Sequence, residues 1–380
     1  MHIAFNGWFW GRPMTGSGQY LRRLLGALRR TAPDLQMTLV LPPGVNQADD
    51  LPADVSLITT TGRGGRLGKV IFEQRTFPQM VARCGADVAH VPYWGPPLTS
   101  PAPLVTTVLD VIPLLLPDYA AGPGARLYTS LVSAAARGSA QVITISDAAK
   151  ADIVAQLNIP ADSITTTHLA ADEVYHPRMG AEHDEAVRAK YDLPDEFVLY
   201  LGGFDLRKRV NQLLLAYTYV GQAEGDNIPL VLAGAEPAWD ARLFPDLRKY
   251  AAELDISEYV RWIGPVDEAD KPALYRLARV FVFPSMAEGF GLPVIEALAS
   301  GTPVVANEIP VMDEIAADGA YLVADGNARA MAGAIIALLL QEPLRQTQIQ
   351  RGLARATHFH WRKTAQRTLE VYEQVLRAAR

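Results

Sequence analysis

Two glutamates eight positions apart, Glu288 and Glu296, bracket a strand-to-helix turn in the run Glu288-Gly-Phe-Gly-Leu-Pro-Val-Ile-Glu296. A carboxylate accepts from two vicinal hydroxyls at once, with charge-assisted strength, so such a pair suits a sugar-bearing ligand. Gly289 and Gly291 let the backbone approach a ligand closely. Pro293 fits the first turn of a helix opening near Leu292, where its missing N–H costs no hydrogen bond. The N–H groups and positive dipole end of that helix favour phosphate or other oxygen-rich groups. A plainer reading stands beside this one: one glutamate offsets the helix dipole, and the other lies on a solvated face.

A second constellation follows another apolar run. Leu201-Gly-Gly-Phe-Asp-Leu-Arg207-Lys208-Arg209 sets three consecutive cations at the mouth of a sheet, where ligands bind in open α/β folds. This is a phosphate clamp in outline, because cations opening a helix oppose its dipole unless an anion is bound. Three solvated charges are the alternative. Near the start, Thr15-Gly16-Ser17-Gly18-Gln19-Tyr20 precedes a helix. A dinucleotide fingerprint is its competitor, but Leu21 occupies the third glycine position and the loop from the first strand is too long for the required tight turn.

The elements that must position these groups alternate. Strands are expected at Met1–Asn6, Leu35–Leu41, Val55–Thr59, Val88–Val91, Leu104–Leu109 and Gln141–Ile145, with helices at about 18–30, 72–83, 125–136 and 148–156. The polar stretch Arg178 to Lys190 reads as a hinge. The pattern then restarts with Phe197–Leu201, Leu230–Ala233, Val260–Ile263, Val280–Phe283 and Pro303–Ala306, and the chain ends in an amphipathic helix. At 380 residues it exceeds the usual single core, so two doubly wound α/β domains are expected.

The segment from Val260 to Val323, with Phe283-Pro-Ser-Met-Ala-Glu-Gly-Phe-Gly-Leu-Pro and Ala299-Ser-Gly-Thr-Pro-Val-Val, resembles the donor-binding half of the retaining family-4 glycosyltransferases. That family carries two Rossmann-like domains facing across a cleft, the GT-B arrangement, with a last helix crossing back to the first domain. The resemblance implies an acceptor-binding domain over 1–175 plus the returning helix 360–380, and a donor-binding domain over 176–359. It implies that Glu288 binds hydroxyls of the transferred sugar, that the N–H groups of Phe290, Gly291 and Leu292 hold sugar or phosphate oxygens, and that Glu296 binds the ribose. The base is expected beside Gly264-Pro-Val266-Asp-Glu268. Arg207 and Lys208 would grip the pyrophosphate, Arg209 would point elsewhere, and Gly16, Ser17 and Gly18 would approach donor phosphate and acceptor from the first domain.

Two departures from the family pattern matter. Gly203 stands where some relatives hold a further arginine, which thins the phosphate contact. Leu109 stands where many carry a histidine near the reacting sugar, leaving Asp110 either to assist the acceptor hydroxyl or to cap its own turn. His90, Tyr93 and Trp94 offer an acceptor wall, against the alternative of a packed strand-end histidine. Ser146 is placed to cap the helix after the last strand of the first domain.

Bulk properties narrow the function. A net charge of −6 argues against nucleic acid as partner. Residues 1–100 nevertheless carry an excess of four cations, and the basic loop 61–70, with Arg63, Arg66 and Lys69, would meet anionic lipid head groups or an anionic acceptor, or simply be a solvated loop. The single cysteine, Cys84, leaves no internal disulfide. There is no Cys/His cluster of zinc spacing and no Asp-x-Asp motif. With no signal-like N-terminus and no apolar run of spanning length, a cytoplasmic protein is expected, peripheral at the inner face of the membrane if the basic loop docks there.

The expected activity is metal-independent transfer, with retention, of a hexose from a nucleoside-diphosphate sugar to a hydroxyl of a sugar or lipid-linked sugar, in polysaccharide or glycoconjugate biosynthesis. The donor is a substrate and no cofactor is expected. The alternatives are a non-catalytic sugar-nucleotide-binding or partner subunit of the same fold, and a sugar-nucleotide epimerase.

Overall fold

A computed structural model describes residues 1–45, 50–120, 122–224, 228–237 and 242–380. The chain divides into two compact units, Met1–Leu169 with His360–Arg380, and Ala170–Phe359. Short apolar runs pair in parallel in each unit, because a strand buried on both faces needs no alternation of polar and apolar residues.

In the first unit the strands are β1 (His2–Asn6), β2 (Gln36–Leu41), β3 (Val55–Thr59), β4 (Val88–Val91), β5 (Leu104–Thr107), β6 (Gln141–Thr144) and β7 (Ile164–Thr166), in the order β3-β2-β1-β4-β5-β6-β7. In the second they are β8 (Val198–Leu201), β9 (Leu230–Ala233), β10 (Val260–Gly264), β11 (Val280–Phe283), β12 (Val304–Glu308) and β13 (Tyr321–Ala324), in the order β10-β9-β8-β11-β12-β13. Both are Rossmann-like sheets. In each, strand order reverses between the first and fourth strands, β1 with β4 and β8 with β11, and the crevice beyond the carboxyl ends of such a pair is where doubly wound folds bind ligands.

The sequence pattern misses β7 and β13. Both are edge strands with partly exposed residues, Thr165 and Thr166 in one and Tyr321 in the other, so neither shows an uninterrupted apolar run. The helix Gly16–Thr31 starts earlier than expected because Thr15 caps it, its hydroxyl accepting from Gly18 N at 3.2 Å. The helix expected from Phe72 instead begins at Gly65 and passes through a π-helical turn, Phe72–Thr76, before ending at Cys84.

The polar stretch read as a hinge contains regular structure. Asp184–Lys190 is a helix of the second unit, and Arg276 binds Asp184 at 2.5 Å from the helix Lys271–Leu277. Its charges are partnered within that unit, and the units divide at Leu169/Ala170.

The terminal helix Trp361–Ala378 belongs to the first unit and packs on Gly16–Thr31. It buries Thr364, Ala365, Thr368, Val371, Tyr372 and Val375 along one stripe, and each large apolar side chain so buried contributes about 1.5–3 kcal/mol. Among the described residues no helix is long and apolar enough to cross a membrane.

Candidate functional site

The switch point of the second unit gathers the charged residues singled out above. Beyond β8 the backbone turns through Gly202 and Gly203 into the short 3-10 helix Leu206–Lys208, followed by the helix Val210–Glu224. Gly202 is held against the end of β9: its N donates to Ala233 O at 3.0 Å, and a Cβ on Gly234, whose φ is +153°, would lie 2.0 Å from Gly202 O. Beyond β11 the chain runs through Pro284–Gly291 into the helix Leu292–Ala299. The two loops are tied by Met286 N donating to Arg207 O at 2.9 Å.

Glu288 is the focus. Its Oε1 lies 2.6 Å from Lys208 Nζ and 2.7 Å from Arg207 Nη1. Arg207 also donates to Ala287 O at 2.9 Å, and Lys208 Nζ sits 5.2 Å from the centroid of the Phe283 ring. Burial opposes ionisation of Glu288, but Lys208 and Arg207 together outweigh it and hold the carboxyl below its ordinary range. Arg209, the third cation, adopts φ +47° and pairs with Asp325 at 3.3 Å.

Gly291 caps the following helix with φ +91°, and a Cβ there would come within 2.3 Å of Met312 Cε. The left-handed backbone is what favours glycine here, since the Met312 methyl is the far end of a flexible side chain and can shift. The helix opens at Leu292 as expected. Phe290 is buried, its ring edge-on to Phe359 at 5.8 Å.

Glu296 lies one turn further into that helix, in separate surroundings. It is buried, and Tyr275 OH donates to its Oε2 at 3.1 Å. Burial pushes its carboxyl up to about 7, with Lys271 opposing. Val266 is buried two residues past the end of β10.

Sequence reasoning overlooked what holds the turn in place. Asn307, fully buried in β12, donates through Nδ2 to Pro284 O at 2.5 Å and to Asp325 Oδ1 at 2.9 Å, and exchanges 3.1 Å bonds with Gln212. The available signal was a polar residue inside the otherwise apolar run Val304-Val-Ala-Asn-Glu308.

In the first unit, Gly16 is exposed, Ser17 partly so, and Gly18 is buried. A Cβ on Gly18 would lie 2.1 Å from Arg12 O, so this glycine is required by packing against its own loop. Asp110 Oδ1 accepts from Ile112 N at 3.1 Å and thus caps its own turn. Ser146 caps the helix Asp147–Leu157, accepting from Ala149 N at 3.0 Å.

Of the two readings of His90, the structure bears out the packed strand-end histidine, and the basic loop is built differently from expectation. His90 is fully buried between Tyr372 OH at 2.6 Å and Thr107 Oγ1 at 2.8 Å, and burial drives its pKa down to about 3. Tyr93 is buried too, its OH donating to Asn6 Oδ1 at 3.2 Å, so neither is an exposed acceptor wall; Trp94 alone of the three stays partly exposed. The basic loop is shorter than expected, because Gly65–Ile71 is helical and Lys69 turns inward to Glu73 at 2.9 Å.

The fold, with its two Rossmann-like sheets, is that of the GT-B glycosyltransferases. Over 100% of both chains, sucrose-phosphate synthase from Thermosynechococcus elongatus superposes with a TM-score of 0.76 at 21% identity. HepE from Anabaena, solved with UDP and glucose, matches 98% of this chain and 99% of its own with a TM-score of 0.76 at 18% identity. Residues 184–355 match the family model of glycosyl transferases group 1, and residues 15–170 match a glycosyl transferase 4-like domain. The O-antigen chain mannosyltransferase B of Escherichia coli is 31% identical over 375 residues, 95% of this chain and 96% of that protein. A phosphatidyl-myo-inositol mannosyltransferase of Mycobacterium leprae is 34% identical over 49% of each chain. The chain belongs to the group 1 glycosyl transferases.

Proposed function

We propose that this glycosyltransferase moves a hexosyl group, mannosyl by analogy with the names of its relatives, from a nucleoside-diphosphate sugar to a hydroxyl of a sugar or lipid-linked sugar, with retention and without a metal ion. The observation that carries the reading is the convergence of Arg207 and Lys208 on Glu288 beyond the ends of β8 and β11. The cations match a diphosphate, the carboxylate matches sugar hydroxyls, and the neighbouring helix N-terminus at Leu292 favours oxygen-rich groups. Glu296 would take the ribose, the backbone around Val266 would meet the base, and Gly16, Ser17 and Asp110 would serve the phosphate and acceptor from the first unit.

In the reaction, the bond from the anomeric carbon to the leaving phosphate oxygen breaks on the same face on which the acceptor oxygen bonds. The acceptor proton passes to the departing diphosphate. Arg207 and Lys208 offset the charge that builds there, a task that a divalent ion performs in other transferases.

Thermal unfolding with saturating GDP, UDP, ADP or dTDP, with and without Mg²⁺, tests the donor site. A ligand at a hundred times its Kd adds roughly 2.7 kcal/mol. A shift with one diphosphate, equal in the presence and absence of Mg²⁺, names the base and supports metal independence. NMR of the product anomer tests retention. The competing reading, a non-catalytic binder, rests on Leu109, which lies partly exposed after β5. It predicts nucleotide binding without any turnover.

A cytoplasmic site belongs to the same reading, and so does peripheral membrane contact. With Lys69 engaged internally, that contact would fall to Arg63 and Arg66 beside Leu67 and Ile71, which are 64% and 45% exposed on one helix face. Sedimentation with vesicles containing anionic lipid tests it.

A further inference from the structure

The switch point of the first unit holds a charged cluster of its own, formed by groups the donor reading does not use. Glu73 lies in the π-helical turn Phe72–Thr76 and is fully buried. Tyr128, on the helix Pro123–Arg137, brings its OH to 3.0 Å from both carboxylate oxygens. Lys69 Nζ lies 2.9 Å from Glu73 Oε1 and also bonds Tyr128 OH. Glu73 packs so closely on Gly95, just past β4, that a Cβ there would be 2.5 Å from its Oε1. Asn6, the last residue of β1, meets the same cluster through Tyr93. The group therefore sits at the carboxyl ends of β1 and β4, the pair between which strand order reverses.

Stability does not account for this arrangement. Burying a carboxylate and an ammonium costs about as much as their attraction returns, and apolar residues of similar volume do as well or better. A π-turn inside an α-helix is itself a feature frequent at functional sites. The cluster also reaches solvent: the Lys69 side chain is 21% exposed, and Tyr128 and Phe9 are half-buried. Lys69 Nζ stands 4.4 Å from the Tyr128 ring centroid and 5.9 Å from that of Phe9. An ammonium donor, a phenol that donates and accepts, and an aromatic face together match the hydroxyls and apolar face of a pyranose.

We infer that Lys69, Glu73 and Tyr128 form a hydroxyl-binding subsite for a hexoside acceptor. Lys69 and Tyr128 contact the sugar, and Glu73 orients both. The inference rests on the transferase reading above but uses residues of the first unit alone, so it can fail while that reading stands.

The probe is octyl α-mannoside, followed by saturation-transfer NMR and titration, with diphosphate binding measured in parallel by thermal shift. Tyr128→Phe keeps the ring and loses only the hydroxyl; Lys69→Met keeps the stem and loses the charge. Each is expected to weaken octyl α-mannoside about tenfold or more, the scale of one hydrogen bond to a charged group, with the diphosphate shift unchanged. Glu73→Gln is expected to do the same, and a folded Tyr128→Phe keeps the test valid if Glu73→Gln does not fold. Octyl α-mannoside binding that is equal in wild type and Tyr128→Phe overturns the inference, as does a wild type that binds diphosphate but not the mannoside. A wild type that binds no diphosphate overturns the transferase reading and the inference with it.

Discussion

Lys208 Nζ lies 2.6 Å from the same Glu288 oxygen that Arg207 Nη1 reaches at 2.7 Å, so one carboxylate pairs with both cations of the second switch point and leaves the trio with a net positive charge. An incoming diphosphate must compete with Glu288 for them. Under the proposed function this exchange is productive, since a carboxylate released by the diphosphate becomes available to the sugar. Glu288→Gln should therefore bind free nucleoside diphosphate about tenfold more tightly, ~1.4 kcal/mol, while losing transfer. Titration calorimetry beside a turnover assay decides it; weaker diphosphate binding would mean that Glu288 serves mainly to orient the cations.

Removing a cation should act in the opposite direction. Lys208→Met deletes one charged hydrogen-bond donor, with an expected loss of about 1.5–3 kcal/mol in diphosphate affinity. Arg207 additionally holds Ala287 O. Arg207→Met should thus lower the urea midpoint as well as the affinity, whereas Lys208→Met should leave the midpoint nearly unchanged.

The two strongly perturbed buried groups tilt stability in opposite directions with pH. Burial raises Glu296 to about 7, above its unfolded value, so its contribution is complete below about 4.5 and is lost as pH rises through about 7. Burial lowers His90 to about 3, so its contribution is complete above about 6.5 and is lost as pH falls toward 3. Glu296→Gln should flatten the decline in unfolding free energy between pH 5 and 8, an effect of at most about 3 kcal/mol. Denaturant unfolding across that range measures it. If ribose binding uses the ionised carboxylate, diphosphate affinity of the wild type should rise over the same interval.

His90→Leu separates the packed histidine from the acceptor-wall reading. It leaves the Tyr372 and Thr107 hydroxyls without their shared partner in the core, at a cost of about 2 kcal/mol or more. Acceptor KM should stay constant in the folded variant, and a marked rise in KM would restore His90 to the site.

Gly291→Ala should destabilise by about 1–2 kcal/mol, because alanine must adopt the left-handed backbone there. Chemical denaturation gives the magnitude. Gly203→Ala, whose Cβ would meet the Asp205 carboxylate at an ordinary 3.4 Å, should change stability far less.

What the sequence by itself determined is local. The apolar runs that become β8, β9 and β11, the glycine and proline of the turn before Leu292, and the cation run ahead of Val210 are read from neighbours in the chain, because strand burial, turn geometry and capping depend on a few consecutive residues. Thr15 and Ser146 as caps belong to the same class, each a hydroxyl directly ahead of its helix. Tertiary structure alone decided which charges meet. Lys69 reads as part of a solvated basic loop until Tyr128, 59 residues away, and Glu73 enclose it. His90 reads either as an acceptor wall or as a packed strand-end histidine until Tyr372, 282 residues away, covers it and decides for the second. Glu73 resembles any exposed helical glutamate until a π-turn and Gly95 bury it. Burial and pairing of a polar group are set by what the fold brings against it, and sequence spacing carries no record of that contact.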